Sequence, residues 1–282
     1  MAIREDGTAD NPYLVDTIIS FREALQQENA YIKLVRDLDC NTELQEWATV
    51  TIMANDIDLN GHRFSAPYVQ SEQVLFNGRS GYVPTIHDGY ILGIGEAGAK
   101  YIGCYVLFKN IAMSCYLATC TNYPFYFCDF DNCNTWIKNS NSNNILWFYG
   151  GSNNFMKNSR FVLRGRIYKS SSTSDGTIKI PTIDNCLFEG ELYDNSTGAN
   201  YAGVFSSTAK ISNSVIDLTK KNTSKDIKLH ENGKSATYID NTLLRDGVFN
   251  NNNSAFILCT PEEIRSVAHS NEVGFNVVEV KG

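Results

Sequence analysis

The sequence predicts an all-β protein: a single-stranded parallel β-helix (β-solenoid) with a short helix at each end. Six asparagine-centred segments recur along the chain at similar spacing. The residues around each asparagine alternate between apolar and polar, as in a short strand with one buried face. The 30 Asn and 20 Gly, with only 6 Pro, are typical of many strands joined by tight corners.

Length and composition predict one folded domain and exclude several classes of protein. The 282 residues can bury a sizeable core, and 43% hydrophobic with 20% charged residues argues against general disorder. We expect no membrane insertion, because no run of about 18 apolar residues occurs. The N-terminus shows no signal-peptide pattern. A net charge of −7 argues against nucleic acid as a partner.

Residues 1–29 are predicted to be an N-terminal arm and capping helix. Ser20 and Glu23 have the spacing of a capping box, which predicts a helix over Phe21–Glu28 with its apolar residues on one face. The first coil of a solenoid exposes one end of the core. An amphipathic helix at this place would cover it.

Residues 30–259 are predicted to form the β-helix. Two alternating strands, Tyr31–Val35 and Thr49–Ile52, each precede an aspartate-rich corner. The first corner begins at Asp37, and a similar one begins 19 residues later at Asp56.

The six repeated asparagines are predicted to line up at one corner of the solenoid. Their spacings are 22, 26, 27, 28 and 28 residues, which suits one coil each. Coils stack about 4.8 Å apart, so each side chain could bond to the next coil. The predicted ladder residues are Asn110, Asn132, Asn158, Asn185, Asn213 and Asn241.

Residues 260–282 are predicted to be a C-terminal cap. Thr260 followed by Pro261 is typical of a helix start, and we expect a short helix to about Ala268. A last strand is predicted over Phe275–Val280.

Four aspartates are the candidate acidic or calcium-binding cluster. They form two Asp-x-Asp pairs that could stack on adjacent coils and bind Ca²⁺ or raise one another's pKa. The alternative is that they are outward corner residues without chemistry. The four are Asp37, Asp39, Asp56 and Asp58.

No other catalytic, metal-binding or cofactor-binding motif is recognised. The four histidines lack metal-ligand spacing, and neither a phosphate-binding loop nor a nucleophile elbow occurs. The eight cysteines are interpreted as reduced, buried thiols, with zinc ligation or a disulfide framework as alternatives. We therefore expect no cofactor, no metal and no catalytic residue.

Aromatic residues concentrate in the middle of the chain. Alternation predicts that about half of them point inward. The others could form a subunit contact or bind glycan. The group is Tyr123, Phe125, Tyr126, Phe127, Trp136, Trp147, Phe148 and Tyr149.

The order of elements resembles that of known β-helix proteins. A cap helix, the corner at residues 56–62 (Asp-Ile-Asp-Leu-Asn-Gly-His) and asparagine-ladder coils resemble right-handed parallel β-helix proteins of the pectin-lyase-like superfamily. The opening segment, residues 7–15, is similar to that of short β-helix proteins encoded by tailed bacteriophages.

The resemblance implies a non-enzymatic virion surface protein, such as a tail appendage, fibre or capsid decoration. It implies a homotrimer, assembled in the host cytoplasm, that contacts other virion proteins and a host surface glycan. The alternatives are a polysaccharide lyase or hydrolase, or a carbohydrate-binding adhesin on the same fold. Residues 61–63 and 166–168 match the Gly-His-Gly and Arg-Ile-Lys signatures of the hydrolases only in part, which favours a protein without catalysis.

Overall fold

In a computed structural model the chain forms a parallel β-helix. The structure describes residues 6–43, 47–66, 74–92, 101–117, 124–139, 145–146, 148–167, 176–193, 203–206, 208–221, 228–230, 238–249 and 255–264. The first helix is α1 (Ile18–Leu25), and residues 261–264 are also helical. No helix in these ranges is long and apolar enough to cross a membrane. The strands are β1 (Tyr13–Val15), β2 (Tyr31–Leu34), β3 (Leu38–Asp39), β4 (Asp56–Asp58), β5 (Arg63–Ser65), β6 (Val74–Asn77), β7 (Thr85–Leu92), β8 (Tyr101–Cys104), β9 (Leu107–Leu117), β10 (Phe125–Tyr126), β11 (Asp129–Asp131), β12 (Asn134–Asn139), β13 (Ile145–Leu146), β14 (Phe148–Tyr149), β15 (Phe155–Lys157), β16 (Arg160–Ile167), β17 (Gly176–Lys179), β18 (Thr182–Asp184), β19 (Leu187–Tyr193), β20 (Gly203–Phe205), β21 (Lys210–Ser212), β22 (Val215–Lys220), β23 (Lys228–His230), β24 (Tyr238–Asp240), β25 (Leu243–Arg245) and β26 (Ile257–Cys259).

Neighbouring strands belong to successive coils and run parallel. The described strands form a 19-stranded sheet and a 7-stranded sheet. The larger sheet turns at the asparagine corner, so each coil has three faces. We name them face 1 (β11 and its register partners), face 2 (β12 and its partners) and face 3 (β14 and its partners). The predicted single-stranded parallel β-helix is confirmed.

A column of phenylalanine rings fills the axis of the solenoid. Inward positions alternate with outward ones along each strand, so all three faces direct side chains to the axis. Two pairs of the column, Phe108 with Phe130 and Phe161 with Phe188, are register partners on one face, and the other neighbours come from different faces. Ring centroids of successive members lie between 5.1 and 6.1 Å apart. The fully buried members are Phe64, Phe76, Phe108, Phe130, Phe161, Phe188 and Phe205.

Helix α1 lies over the N-terminal end of this column. Phe21 is fully buried, and its ring centroid is 5.4 Å from that of Phe64. The helix begins three residues earlier than expected because Thr17, not Ser20, is the N-cap. Thr17 is extended and accepts the Ser20 N–H at 3.0 Å, while the Ser20 hydroxyl accepts the Thr17 N–H at 3.1 Å. Ser20 thus occupies the third helical position, where a capping box usually has glutamate.

At the other end, the described chain stops within the second helix. Thr260 Oγ1 accepts the Glu263 N–H at 3.3 Å, and Glu263 Oε2 accepts the Thr260 N–H at 2.8 Å. This is a reciprocal capping box. The expected continuation to Ala268 and the strand Phe275–Val280 lie outside the described residues.

The cysteines in the described ranges are free thiols. Seven are described, and all but Cys259 are buried. Burial raises the pKa of Cys133 and of Cys186 to about 12, so both are protonated and unreactive at neutral pH. Cys120 lies outside the described residues.

Candidate functional site

The six repeated asparagines occupy the corner between faces 1 and 2, all in the left-handed conformation. Their φ angles lie between 41° and 54°. Asparagine and glycine tolerate this region, whereas most other side chains cost roughly 1–2 kcal/mol there. The Asn132 N–H donates to the Lys157 carbonyl of the next coil at 3.1 Å, and the Asn158 N–H donates to Asp184 at 3.1 Å. The repeat therefore marks a backbone requirement at each corner.

The side-chain amides at this corner link successive coils, but they do not form an unbroken chain of asparagines. The Asn132, Asn185 and Asn241 amides each donate to the asparagine of the preceding coil, at 2.8, 3.0 and 2.9 Å. The other links run through carboxylates instead. Asn110, Asn158 and Asn213 donate to Asp88, Asp131 and Asp184 at 2.7, 3.0 and 2.9 Å.

A buried row of thiols and hydroxyls follows the asparagines, which the sequence analysis missed. The Cys133 N–H donates to Ser159 Oγ at 3.0 Å, and the Cys186 N–H donates to Ser214 Oγ at 3.1 Å. Each serine hydroxyl also donates to a carbonyl two residues earlier. The signal was a small polar residue or cysteine directly after five of the six asparagines. This row satisfies buried backbone groups where the chain turns.

We predict that Asn185→Leu lowers the free energy of unfolding by about 1–2 kcal/mol, because leucine at a φ of 50° is strained. The exposed amide adds less, since water can replace its bond to Asn158. Denaturant unfolding measures the change. Asn185→Gly, which keeps the backbone geometry, should lose less than Asn185→Leu. Equal losses would show that backbone strain is not the cause.

The structure does not stack the two Asp-x-Asp pairs. Asp56 and Asp58 lie on face 1, in register with Tyr31 and Lys33 of the preceding coil. Asp39 lies on face 2 opposite Ser65. The four aspartates are therefore distributed over two faces of the solenoid, and the expectation that the pairs stack is wrong.

Asp37 and Asp39 instead accept hydrogen bonds from backbone N–H groups, Asp37 from the next coil and Asp39 from its own turn. Asp37 Oδ1 accepts the Arg63 N–H at 3.0 Å and lies 3.5 Å from His62 Nδ1. Asp39 Oδ1 accepts the Asn41 N–H at 2.8 Å, as in an Asx turn.

Asp56 takes part in a clamp with a histidine that the sequence did not point to. His87 Nε2 lies 2.8 Å from Asp56 Oδ1, and His87 Nδ1 lies 2.7 Å from Asp88 Oδ2. The hydrogen bond to Asp56 raises the pKa of His87 to about 9; burial opposes this, and the bond to Asp88 adds to it. With a carboxylate at each ring nitrogen, the imidazole is the doubly protonated cation at neutral pH. Asp88 in turn accepts from Asn110, so the clamp spans three coils.

His87 and Asp88, together with Asp58, form the closest approach to a metal-ligand set within the described ranges. One ligand atom each from Asp58, His87 and Asp88 lies within 4.8 Å of the others. Both nitrogens of His87 already face carboxylate oxygens, and Lys33 Nζ lies 3.3 Å from Asp58. A metal ion would have to displace the imidazole proton. We therefore interpret the group as an ion-paired clamp between coils.

The clamp predicts a pH-dependent stability. A folded pKa above the ordinary 6.5 stabilises the fold fully below pH 6.5, and this stabilisation is lost as the pH rises through 9. The advantage of wild type over His87→Gln in unfolding free energy should therefore fall by up to about 3 kcal/mol across that window. Denaturant unfolding between pH 6 and 10 measures it. Asp56→Asn should remove most of the effect, and an advantage that grows with pH would contradict the assignment.

Half-buried aromatic rings form a cluster at the corner between faces 3 and 1. The Tyr105 and Phe127 rings are stacked at 5.0 Å, and the Tyr126 and Tyr149 rings at 5.2 Å. Lys179 Nζ lies 4.8 Å from the Tyr149 centroid. Tyr105 and Phe127 have φ of 52° and 53°, where bulky residues are rare. We call these five residues the aromatic corner.

The other central aromatics divide between the core and the surface. Phe125 and Phe148 are buried, and Trp136 is half-buried on face 2. Tyr123 and Trp147 lie outside the described residues.

Comparison with known proteins gave no match to a family model, to a curated protein or to a solved structure.

Proposed function

We propose that the protein is a non-enzymatic virion surface protein of a tailed bacteriophage, with a structural or host-adsorption role as a tail appendage, fibre or capsid decoration. The observation that supports the absence of catalysis is that carboxylates on faces 1 and 2 are engaged in structural contacts. Several carboxylates on faces 1 and 2 accept hydrogen bonds or form ion pairs with the neighbouring coil, among them Asp131, Asp184 and Glu189. Carboxylates used in this way stabilise the stack of coils.

Individual contacts illustrate this use. Glu189 pairs with Arg160, and Asp217 with Arg245. Burial raises the pKa of Asp129, as a catalytic acid would require, but Asp129 Oδ1 accepts the Asn154 amide and the Phe155 N–H, each at 2.9 Å. Glycoside hydrolysis needs a second carboxylate roughly 5–9.5 Å away, free to act as nucleophile or base. The bonded carboxylates on these faces are poorly suited to that role.

Immunogold electron microscopy tests the virion assignment. An antibody raised against the purified chain should label intact phage particles from the source of the sequence at a fixed position. Particles without label, with the protein recovered free in the lysate, would contradict it. The alternative enzyme is tested in parallel: the purified protein should release neither reducing ends nor unsaturated products from bacterial surface polysaccharides.

A homotrimer is the assembly we propose. The aromatic corner presents four half-buried rings in two mutually perpendicular stacks. Cyclic symmetry is the ordinary solution for a self-complementary surface. Light scattering at tens of micromolar should give three times the 31.5 kDa chain mass. Phe127→Asn, which suits the local φ of 53°, should shift the mass towards that of the monomer. A wild-type monomer would contradict the proposal.

A further inference from the structure

The last described rung of the solenoid leaves a core position uncovered. Leu258 on β26 is in register with Leu244, which is in register with Ile216 of the coil before. Ile216 and Leu244 are at most 1% exposed, whereas Leu258 is 56% exposed. An inward side chain of a solenoid is buried by the coils on both of its sides. Within the described part of the chain, Leu258 has such a neighbour on one side only, so the C-terminal end of the core is open there.

The backbone of β26 is open on the same side. Among the described strands, β26 pairs with β25 alone. The Ile257 N–H donates to the Thr242 carbonyl at 3.0 Å. The Cys259 carbonyl accepts the Asp246 N–H at 2.9 Å. Ile257 and Cys259 therefore direct their backbone groups towards β25, and because successive residues of a strand alternate, the N–H and C=O of Leu258 point to the free edge.

The two ends of the solenoid differ in how they are closed. At the N-terminal end, α1 buries Phe21 against Phe64 of the core column. At the C-terminal end, the helical residues 261–264 bury Ile264 but leave Leu258 exposed. A free strand edge beside an exposed leucine is a template for pairing with another strand. We therefore expect a further strand to cover this edge.

The chain itself contains a segment with the pattern that this edge needs. Residues 265–282 follow the second helix and lie outside the described residues. In their sequence the apolar Val273, Phe275 and Val277 alternate with polar residues or glycine. Such alternation is typical of a strand with one buried face, and it overlaps the last strand predicted from the sequence.

The position of this segment in the chain also favours it as the occupant of the edge. Residues 260–271 separate β26 from the alternating pattern, and a crossover between parallel strands needs about a dozen residues. A second copy of the chain would pair through the same three-residue edge strand. That contact is far smaller than the roughly 800 Å² that each partner buries in a stable interface.

We propose that residues 273–277 form the final rung of the solenoid, parallel to β26, with Phe275 in register with Leu258. The N–H and C=O of Leu258 would bond to this rung, and Phe275 would close the inward column. Asn276 would then lie outward, in register with Cys259. The proposal concerns the end of the fold and does not depend on the virion assignment.

Hydrogen exchange of the full chain, resolved to single amides, tests the added rung. The Leu258 amide should exchange at least about 100-fold more slowly than an exposed amide, because it donates to the new strand. Phe275→Asp should remove this protection. Asn276→Asp is the matched control: it adds the same charge at the outward position and should keep the protection. Fast exchange of the Leu258 amide in wild type, or equal protection in the two variants, would overturn the proposal.

A disulfide to the native Cys259 tests the register. Register partners on adjacent rungs have Cα atoms about 4.8 Å apart, within the range that a disulfide spans. Asn276→Cys should therefore form a disulfide with the half-exposed Cys259 on mild oxidation, identified by mass spectrometry of peptides. Val277→Cys, whose side chain would point inward, should give at least about tenfold less of it. Equal yields from the two variants would overturn the register, and a disulfide between two chains would show that a second copy occupies the edge instead.

Discussion

The Phe161→Ala variant is expected to lose about 3–5 kcal/mol of unfolding free energy, because it opens a cavity in the middle of the phenylalanine column. The Phe161 side chain is fully buried. Its ring centroid is 5.4 Å from that of Phe130, 5.7 Å from Phe148 and 5.3 Å from Phe188. These neighbours lie on strands paired with the adjacent coils, so they can close the space only in part. Denaturant unfolding of the purified variant gives the difference.

Two comparisons separate this cavity effect from a general loss of aromatic surface. Phe161→Leu keeps most of the volume and should lose less than half as much. Tyr238→Ala removes a ring that is 52% exposed and should change stability by about 0.5 kcal/mol or less. If Tyr238→Ala were as damaging as Phe161→Ala, the column would not be the source of stability.

The solenoid was predictable because each coil repeats one backbone requirement. The left-handed backbone conformation at the same corner of the repeated coils favours asparagine. The spacing of the asparagines is visible in the sequence without knowledge of any contact. The exact start of α1 was not predictable in this way. Thr17 and Ser20 both have hydroxyls that cap helices, and only the fold shows that the box uses Thr17 as N-cap and Ser20 in the usual place of glutamate.

The positions of the four aspartates were predicted wrongly, because the interval between the two similar corners is not the number of residues in one coil. The aspartate corners recur after 19 residues, but the register pairs Tyr31 with Asp56, an offset of 25. A residue pair separated by the wrong interval falls on different faces. The His87 clamp was missed for a related reason, since its partner Asp56 lies 31 residues away with no pattern to connect them.

Strain at two aromatic positions was equally invisible in the sequence. Tyr105 and Phe127 take a conformation that composition would assign to glycine or asparagine. The stacking of the two rings, with centroids 5.0 Å apart, offsets part of the free-energy cost of this backbone conformation. At the corner between faces 3 and 1, both rings pack against rings of the neighbouring coil.

Gly190→Ala is expected to destabilise the fold by about 3–5 kcal/mol, the sum of backbone strain and overpacking. Gly190 has a φ of 121°, which alanine adopts only with strain. A Cβ there would lie 2.1 Å from the carbonyl oxygen of Leu163, the residue opposite it on β16. That oxygen belongs to the backbone of a paired strand, so it can move only if β16 and β19 separate. Denaturant unfolding and hydrogen exchange of the amides of both strands would register the change.

Gly61→Ala is the control for a positive φ without a close contact. Gly61 also has a positive φ, 75°, but a Cβ there would meet no atom within 4 Å. It should therefore lose only the roughly 1–2 kcal/mol that left-handed backbone costs an ordinary residue. The excess loss in Gly190→Ala then contains the close approach of the two strands together with the additional strain of a φ of 121°. If both variants lost the same amount of unfolding free energy, the contact with Leu163 would contribute nothing. The tight packing of β16 against β19 would then not be the reason for glycine at this position.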